Sequence, residues 1–242
     1  MTAEELLEVT ETTGAAEAAD EVDLVELMNA RAQGYGMLAR LLRVEIDADT
    51  LKELQGMRFP TATGNAKADE GYRQMFEYLR RAWDDSITEL AIDFVRTFIG
   101  HGVNGYSAAY PFESVYTSER RLLMQEARAE VLATFRENNL KKGRWTEGED
   151  HIALELEFMQ RMSLRTAEAL AAGNDDEAVE LVRRQYTFLQ DHLLNWAPMF
   201  VNDMRMFAKT LFYQGVAQLL MGHLEEDEAV LAALLESVDG DE

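Results

Sequence analysis

The sequence has no cysteine among its 242 residues. That excludes a disulfide framework, a thiolate zinc site and a thiolate-held iron–sulfur cluster, and it fits a reducing compartment. Only three prolines occur, Pro60, Pro111 and Pro198. No apolar run approaches the roughly 18 residues a membrane-crossing helix needs, so no membrane insertion is expected. The first residues carry neither a basic n-region nor an apolar h-region, so a cytoplasmic protein is expected. Lys and Arg are absent from residues 1–30, which hold nine acids, and from residues 225–242, which hold eight. Most of the net charge of −22 therefore lies in the two ends. These ends read either as solvated, partly frayed termini or as an electrostatic attractor for a basic peptide. Nucleic acid is a poor partner for either, because phosphate binding needs a basic face. The common catalytic motifs are missing too: there is no P-loop and no G-x-G-x-x-G, and Gly105-Tyr106-Ser107 continues as Ala108-Ala109 rather than as a nucleophile elbow.

Hydrophobic residues make up 47% of the chain, enough for a sizeable core. Leu, Ala, Glu, Met and Arg dominate, and apolar positions recur three or four apart. The expectation is an all-α fold: one helical bundle domain of about eight to ten helices with short connections. Residues 1–20 read as an acidic flexible tail, 21–224 as the helical domain and 225–242 as an acidic C-terminal segment. Helices are predicted over about 22–42, 49–57 and 69–99, the last with a break near Asp84-Asp85-Ser86. Tyr72, Met75, Phe76, Leu79, Trp83, Ile87, Leu90, Phe94 and Phe98 form its apolar face. Gly100 to Phe112 is a loop, and Ser118 is expected to cap a helix to about Asn138. The basic stretch 139–146 is a candidate hinge. Thr146 and Glu149 have capping-box spacing and predict a helix over about 147–172. Further helices are predicted over 175–194, from Pro198 to about Met221 with Gly222 as its stop, and over 226–237.

Three constellations stand out. Glu147, Asp150 and His151 lie at i, i+3 and i+4, on one side of a first helical turn if the helix begins there. They suit a helix start, a metal site, or a recognition point in which Asp150 orients or charges His151. The metal reading is weak. Bundle di-iron sites need Glu three residues before each ligand His, and the residues at that offset from the four histidines are Phe98, Gly148, Leu189 and Leu220. The second constellation is Tyr110-Pro111-Phe112-Glu113-Ser114-Val115-Tyr116, where aromatics flank a rigid proline and one Glu. It suits an exposed anchor pocket or a loop packed onto the bundle. In the third, His192 has Phe188 and Trp196 four residues away on its own face and reads as a packed histidine.

In this order, these segments resemble the TorD/DmsD family of redox-enzyme maturation chaperones. Members carry a P-[YWF]-x-S-V-[YW] loop, an E-P-x-D-H helix start and an H-L-x-x-W segment. Here these are Pro111 to Tyr116, Glu147-Gly148-Glu149-Asp150-His151 and His192-Leu193-Leu194-Asn195-Trp196. Asp93 to Gly100 is similar to the segment leading into the family's loop, and the likeness runs from about Ala30 to Met221. The departure is Gly148, where the family usually has proline, which would preset the helix start.

The resemblance implies a TorD-like helical fold and no catalysis. It implies binding of the twin-arginine leader of a molybdopterin oxidoreductase, with export delayed until that catalytic subunit holds its cofactor. The peptide-binding residues it implies are Phe94, Phe98, Pro111, Phe112, Gly148, Asp150 and His151. Glu113, Tyr116 and Glu147 join them as acceptors and rim in the same segments. No cofactor of the protein's own is expected, and a monomer or a domain-swapped homodimer is. The competing expectation is a helical assembly subunit that stays in a redox-enzyme complex.

Overall fold

The computed structural model describes residues 23–100 and 108–239. The expected tail over 1–20 and most of the glycine-rich loop lie outside the described residues. Among those described, the structure is all-α, with one isolated antiparallel bridge, Phe112 to His151. The helices are α1 (Leu24–Arg43), α2 (Ala48–Gly56), α3 (Ala66–Leu79), α4 (Ser86–Phe94), α5 (Glu113–Thr117), α6 (Glu126–Glu137), α7 (Ile152–Ala171), α8 (Asp175–Phe188), α9 (Leu194–Phe207) and α10 (Leu211–Asp239). Two π-helical turns, Val95–Ile99 and Leu189–Leu193, continue α4 and join α8 to α9.

Side-chain caps set several starts. Asp23 accepts from the Val25 and Glu26 amides, Asp47 from Thr50, and Asn65 from Lys67 and Ala68. Each satisfies amides that the first turn leaves without partners. Asp93 performs the same service across the fold. It is buried in α4, and its carboxylate accepts from the Lys209 amide at 2.9 Å, the Thr210 amide at 2.8 Å and the Thr210 hydroxyl at 2.7 Å. The start of α10 is thereby pinned to the turn that carries Phe94 and Phe98.

Helix α1 packs along α7, and α3 along α10. The second contact is very close. A Cβ on Gly71 would lie 2.6 Å from the Leu219 amide nitrogen, and one on Gly222 the same distance from that of Ala68. Gly222 therefore serves helix approach and does not stop the helix: α10 runs on for 29 residues. The expected acidic helix over 226–237 is the second half of α10. Its Asp227 is buried against Arg31 and Tyr35, with Arg31 Nη2 donating at 2.9 Å and the Tyr35 hydroxyl at 2.6 Å.

Other boundaries differ from the sequence reading. The stretch 69–99 divides at residues 80–85, which shifts the apolar face and leaves Phe76 and Trp83 exposed at 55% and 62%. Residues 118–125 are irregular, with Arg121 and Met124 at φ 50° and 59°, so the following helix starts at Glu126 and not at Ser118. The chain does not break at Trp196-Ala197-Pro198. Pro198 lies inside α9, and the break falls at 208–210. Trp196, Tyr35, Tyr213, Phe188, Phe200 and Phe212 are the largest fully buried side chains of the core.

Candidate functional site

The site is built where the loop after residue 108 meets the start of α7. The expected capping box at Thr146 and Glu149 does not form, because α7 begins at Ile152 with His151 as its N-cap. Glu147, Asp150 and His151 therefore precede the helix and do not share its first turn. Residues 150–152 instead run antiparallel to residues 111–113. The Glu113 amide donates to the Asp150 carbonyl and the Ile152 amide to the Pro111 carbonyl, each at 2.9 Å.

This short ladder dictates the side chains. Asp150 is fully buried, and its Oδ2 accepts from the amide of Ser114 at 3.1 Å and from its hydroxyl. Asp150 thus caps α5 from another part of the chain and does not touch His151 as an orienting carboxylate. His151 is buried between the edges of Phe112 and Trp145, with ring centroids 4.9 and 4.7 Å away. Its Nδ1 accepts from the Ala153 amide at 3.0 Å, which places the proton on Nε2. Burial, helped by the Arg43 charge, lowers its pKa to about 3. It is a neutral cap, which agrees with the helix-start reading of this constellation and not with the reading in which Asp150 charges His151. Glu147 is half-buried and its carbonyl takes the Lys142 ammonium.

Glu149, expected to close a capping box, serves an ion cluster instead. It pairs with Arg128 at 2.7 Å and Lys142 at 3.1 Å. Burial opposes its ionisation, but those hydrogen bonds prevail and hold its carboxyl below the usual range.

Glu113 points inward, its Oε2 3.0 Å from Nδ1 of His192. His192 lies in the second π turn and packs on Phe188 with centroids 4.7 Å apart. Sequence reasoning missed Glu155, whose Oε2 accepts from Trp196 Nε1 at 3.1 Å. Its signal was available: Glu155 sits three residues after Ile152 and four before Met159, on the apolar face of α7.

Phe94 and Phe98 belong to a second group. They touch each other at 4.9 Å, and Phe98 contacts Tyr213 at 5.6 Å and Phe200 at 6.2 Å. Both are buried. Tyr116 links the groups by stacking on Trp196 at 5.4 Å and meeting Phe200 edge-on at 6.1 Å. Its hydroxyl lies 3.1 Å from Asp203, and burial pushes that carboxyl up to about 6. The fold thus joins residues 111–113 to residues 150–152 directly, and reaches Phe94 and Phe98 through Tyr116 and Phe200.

Of the candidate residues, Glu113 lines a cleft of about 510 Å³ over α5, the 118–125 segment and the start of α6. Its walls include Glu113, Glu119, Glu126, Glu130 and Asp191, with Arg120 among them. Leu122, Leu123 and Met124, in the same segment, are exposed. Among the described residues no group of His, Asp and Glu could hold a metal ion, and no helix is long and apolar enough to cross a membrane.

Residues 65–202 match the family model described as nitrate reductase delta subunit. The chain is similar to the chaperone protein TorD of Aliivibrio fischeri, 27% identical over 87% of this chain and 98% of that protein. It is also similar to TorD of Photobacterium profundum (26%, covering 86% and 97%) and of Vibrio parahaemolyticus (29%, covering 83% and 94%). A crystal structure of a putative redox enzyme maturation protein from Archaeoglobus fulgidus aligns over 81% of this chain and 93% of that one, with 17% identity and a TM-score of 0.49.

Proposed function

Because the chain belongs to the nitrate reductase delta subunit and TorD family of redox-enzyme maturation chaperones, we propose that it binds the twin-arginine leader of a molybdopterin-dependent oxidoreductase. The family is one of chaperones, not of catalysts. On this reading the protein works in the cytoplasm and holds its client back from export until the cofactor is inserted.

The observation that carries the reading is the Phe112–His151 bridge. It ties the loop and the helix start into one unit, and Glu113, next to Phe112, lines the acidic cleft. A leader has a basic segment followed by an apolar one. Carboxylates on the cleft wall suit guanidinium groups, which make charge-assisted hydrogen bonds worth roughly 1.5–3 kcal/mol when partly desolvated. The exposed Leu122, Leu123 and Met124 adjoin the cleft in sequence and suit the apolar segment. In this scheme Pro111, Phe112, Glu113 and Tyr116 shape the wall, and Gly148, Asp150 and His151 hold it in place with Glu147. Phe94 and Phe98 form the aromatic bed beneath.

Titration calorimetry with leader peptides tests this. The expected result is micromolar binding at low salt that weakens as salt is raised, and a loss of about tenfold in the double variant Glu130→Lys, Asp191→Lys with an unchanged melting temperature. Absence of binding to the cognate leader at low salt would overturn the reading.

A further inference from the structure

Glu155 is wholly buried on α7, and among the described residues no cation pairs with it. Its Oε2 accepts from Trp196, while Oε1 is buried with no donor. The ionisable groups that face it are also carboxyls: Glu113 at the head of α5, within hydrogen-bonding reach, and Asp150 just before α7. His192, beyond Glu113, gives its Nδ1 to the other side of that carboxylate. Asp150 spends Oδ2 on Ser114, and its Oδ1 has no donor either. Three buried carboxyls thus share one imidazole and a few neutral donors.

Two carboxylates in contact in a dry interior cannot both be ionised, because desolvation and mutual repulsion oppose the second charge. A single proton resolves the arrangement. Protonated, a carboxyl gains one O–H donor, and the oxygen of Glu155 that lacks a donor becomes a donor facing an acceptor. Burial first, then the nearby Glu113, push the Glu155 carboxyl well above its ordinary range, with the Trp196 hydrogen bond pulling the other way.

We propose that Glu155 is kept as a neutral carboxylic acid whose O–H donates a hydrogen bond to Glu113, and that it is a positioning residue for the recognition loop 110–117. The second half of this inference rests on the peptide-binding reading above. With the proton in place, Glu113 bridges His192 and Glu155, so the head of α5 is fastened to the second π turn and to α7 at once. Helix α5 has five residues and leads directly into the cleft wall. Without the proton, Glu113 and Glu155 repel, and so short a helix is the element that gives way. A group whose pKa is raised in the fold stabilises it fully below the unfolded value and loses that effect as pH rises through the folded one. Leader affinity should likewise fall as pH rises through that raised value.

The test uses the full chain labelled with ¹³C at the Glu side-chain carboxyl, with the Glu155 signal assigned by its loss in Glu155→Gln. The expected result is a protonated Glu155 at pH 7 that titrates only above it. An ionised Glu155 at pH 7 overturns the proposal, whatever the protein binds. Affinity for the twin-arginine leader is then followed from pH 6 to 9. Glu155→Gln, whose amide donates to Glu113 and whose carbonyl accepts from Trp196, should bind within about twofold of wild type at pH 6 and lose the alkaline fall. Glu155→Leu should bind at least tenfold more weakly. If Glu155→Leu does not fold, the flat profile of Glu155→Gln decides. Full affinity in a folded Glu155→Leu, or an unchanged profile in Glu155→Gln, removes Glu155 from its positioning role. A protonated Glu155 in a protein that binds no leader would instead count against the peptide-binding reading alone.

Discussion

Phe112 and His151 form a backbone bridge and an edge-to-face ring pair, their centroids 4.9 Å apart and their planes at 87°. The two residues are 39 positions apart in sequence, and their pairing joins the loop motif to the helix-start motif. It also removes His151 from solvent, which has a consequence for stability in acid.

A histidine whose pKa is about 3 when folded and ordinary when unfolded contributes stability above the unfolded value. That contribution is lost as pH falls from about 6.5 toward 3, with a slope of up to about 1.4 kcal/mol per pH unit. Urea unfolding at pH 7, 5.5 and 4.5 should show this decline, and His151→Asn, which keeps a capping acceptor, should flatten it. Equal slopes in the two proteins would mean that His151 is already charged in the fold.

Gly148 stands where a Cβ would come within 2.7 Å of Asp150 Oδ1. Asp150 cannot retreat, because its other oxygen holds Ser114 at the start of α5. Gly148→Ala should cost about 1–3 kcal/mol, as crowding in a packed interior does. The double variant Gly148→Ala, Asp150→Ala should show clear non-additivity in denaturant unfolding. A neutral Gly148→Ala would mean that the ladder yields easily.

Arg31 and Asp227 form a buried ion pair to which Tyr35 adds a third hydrogen bond. Burial opposes the Asp227 charge, but Arg31 prevails and keeps its carboxyl below the usual range. Removing one partner strands the other charge, so Asp227→Ala should destabilise the protein by about 3–5 kcal/mol. The wild-type contribution should fade as pH drops through the lowered carboxyl value. A loss under about 1 kcal/mol, the scale of a surface pair, would show that α10 does not depend on this contact.

Much of the architecture was legible because periodicity is a local signal, whereas the caps expected at Ser118 and Thr146 do not form. The apolar spacing of α1, α3 and α7 is readable residue by residue. The misread boundaries have tertiary causes. Gly222 and Pro198 are helix breakers in isolation, yet one permits the approach of α3 and the other lies within α9, which the π turn joins to α8. Glu149 and Glu155 look alike in sequence, but one meets two cations and the other a carboxylate.

The sequence alone determined the helical class, the likeness in three ordered motifs and the absence of thiol chemistry, since composition and spacing do not depend on what lies across the fold. Only the tertiary structure decided which acids are charged and which residues face the cleft. Charge in an interior is set by neighbours brought from distant positions, as Arg31 is to Asp227 and Arg128 to Glu149, and no spacing along one helix records those encounters.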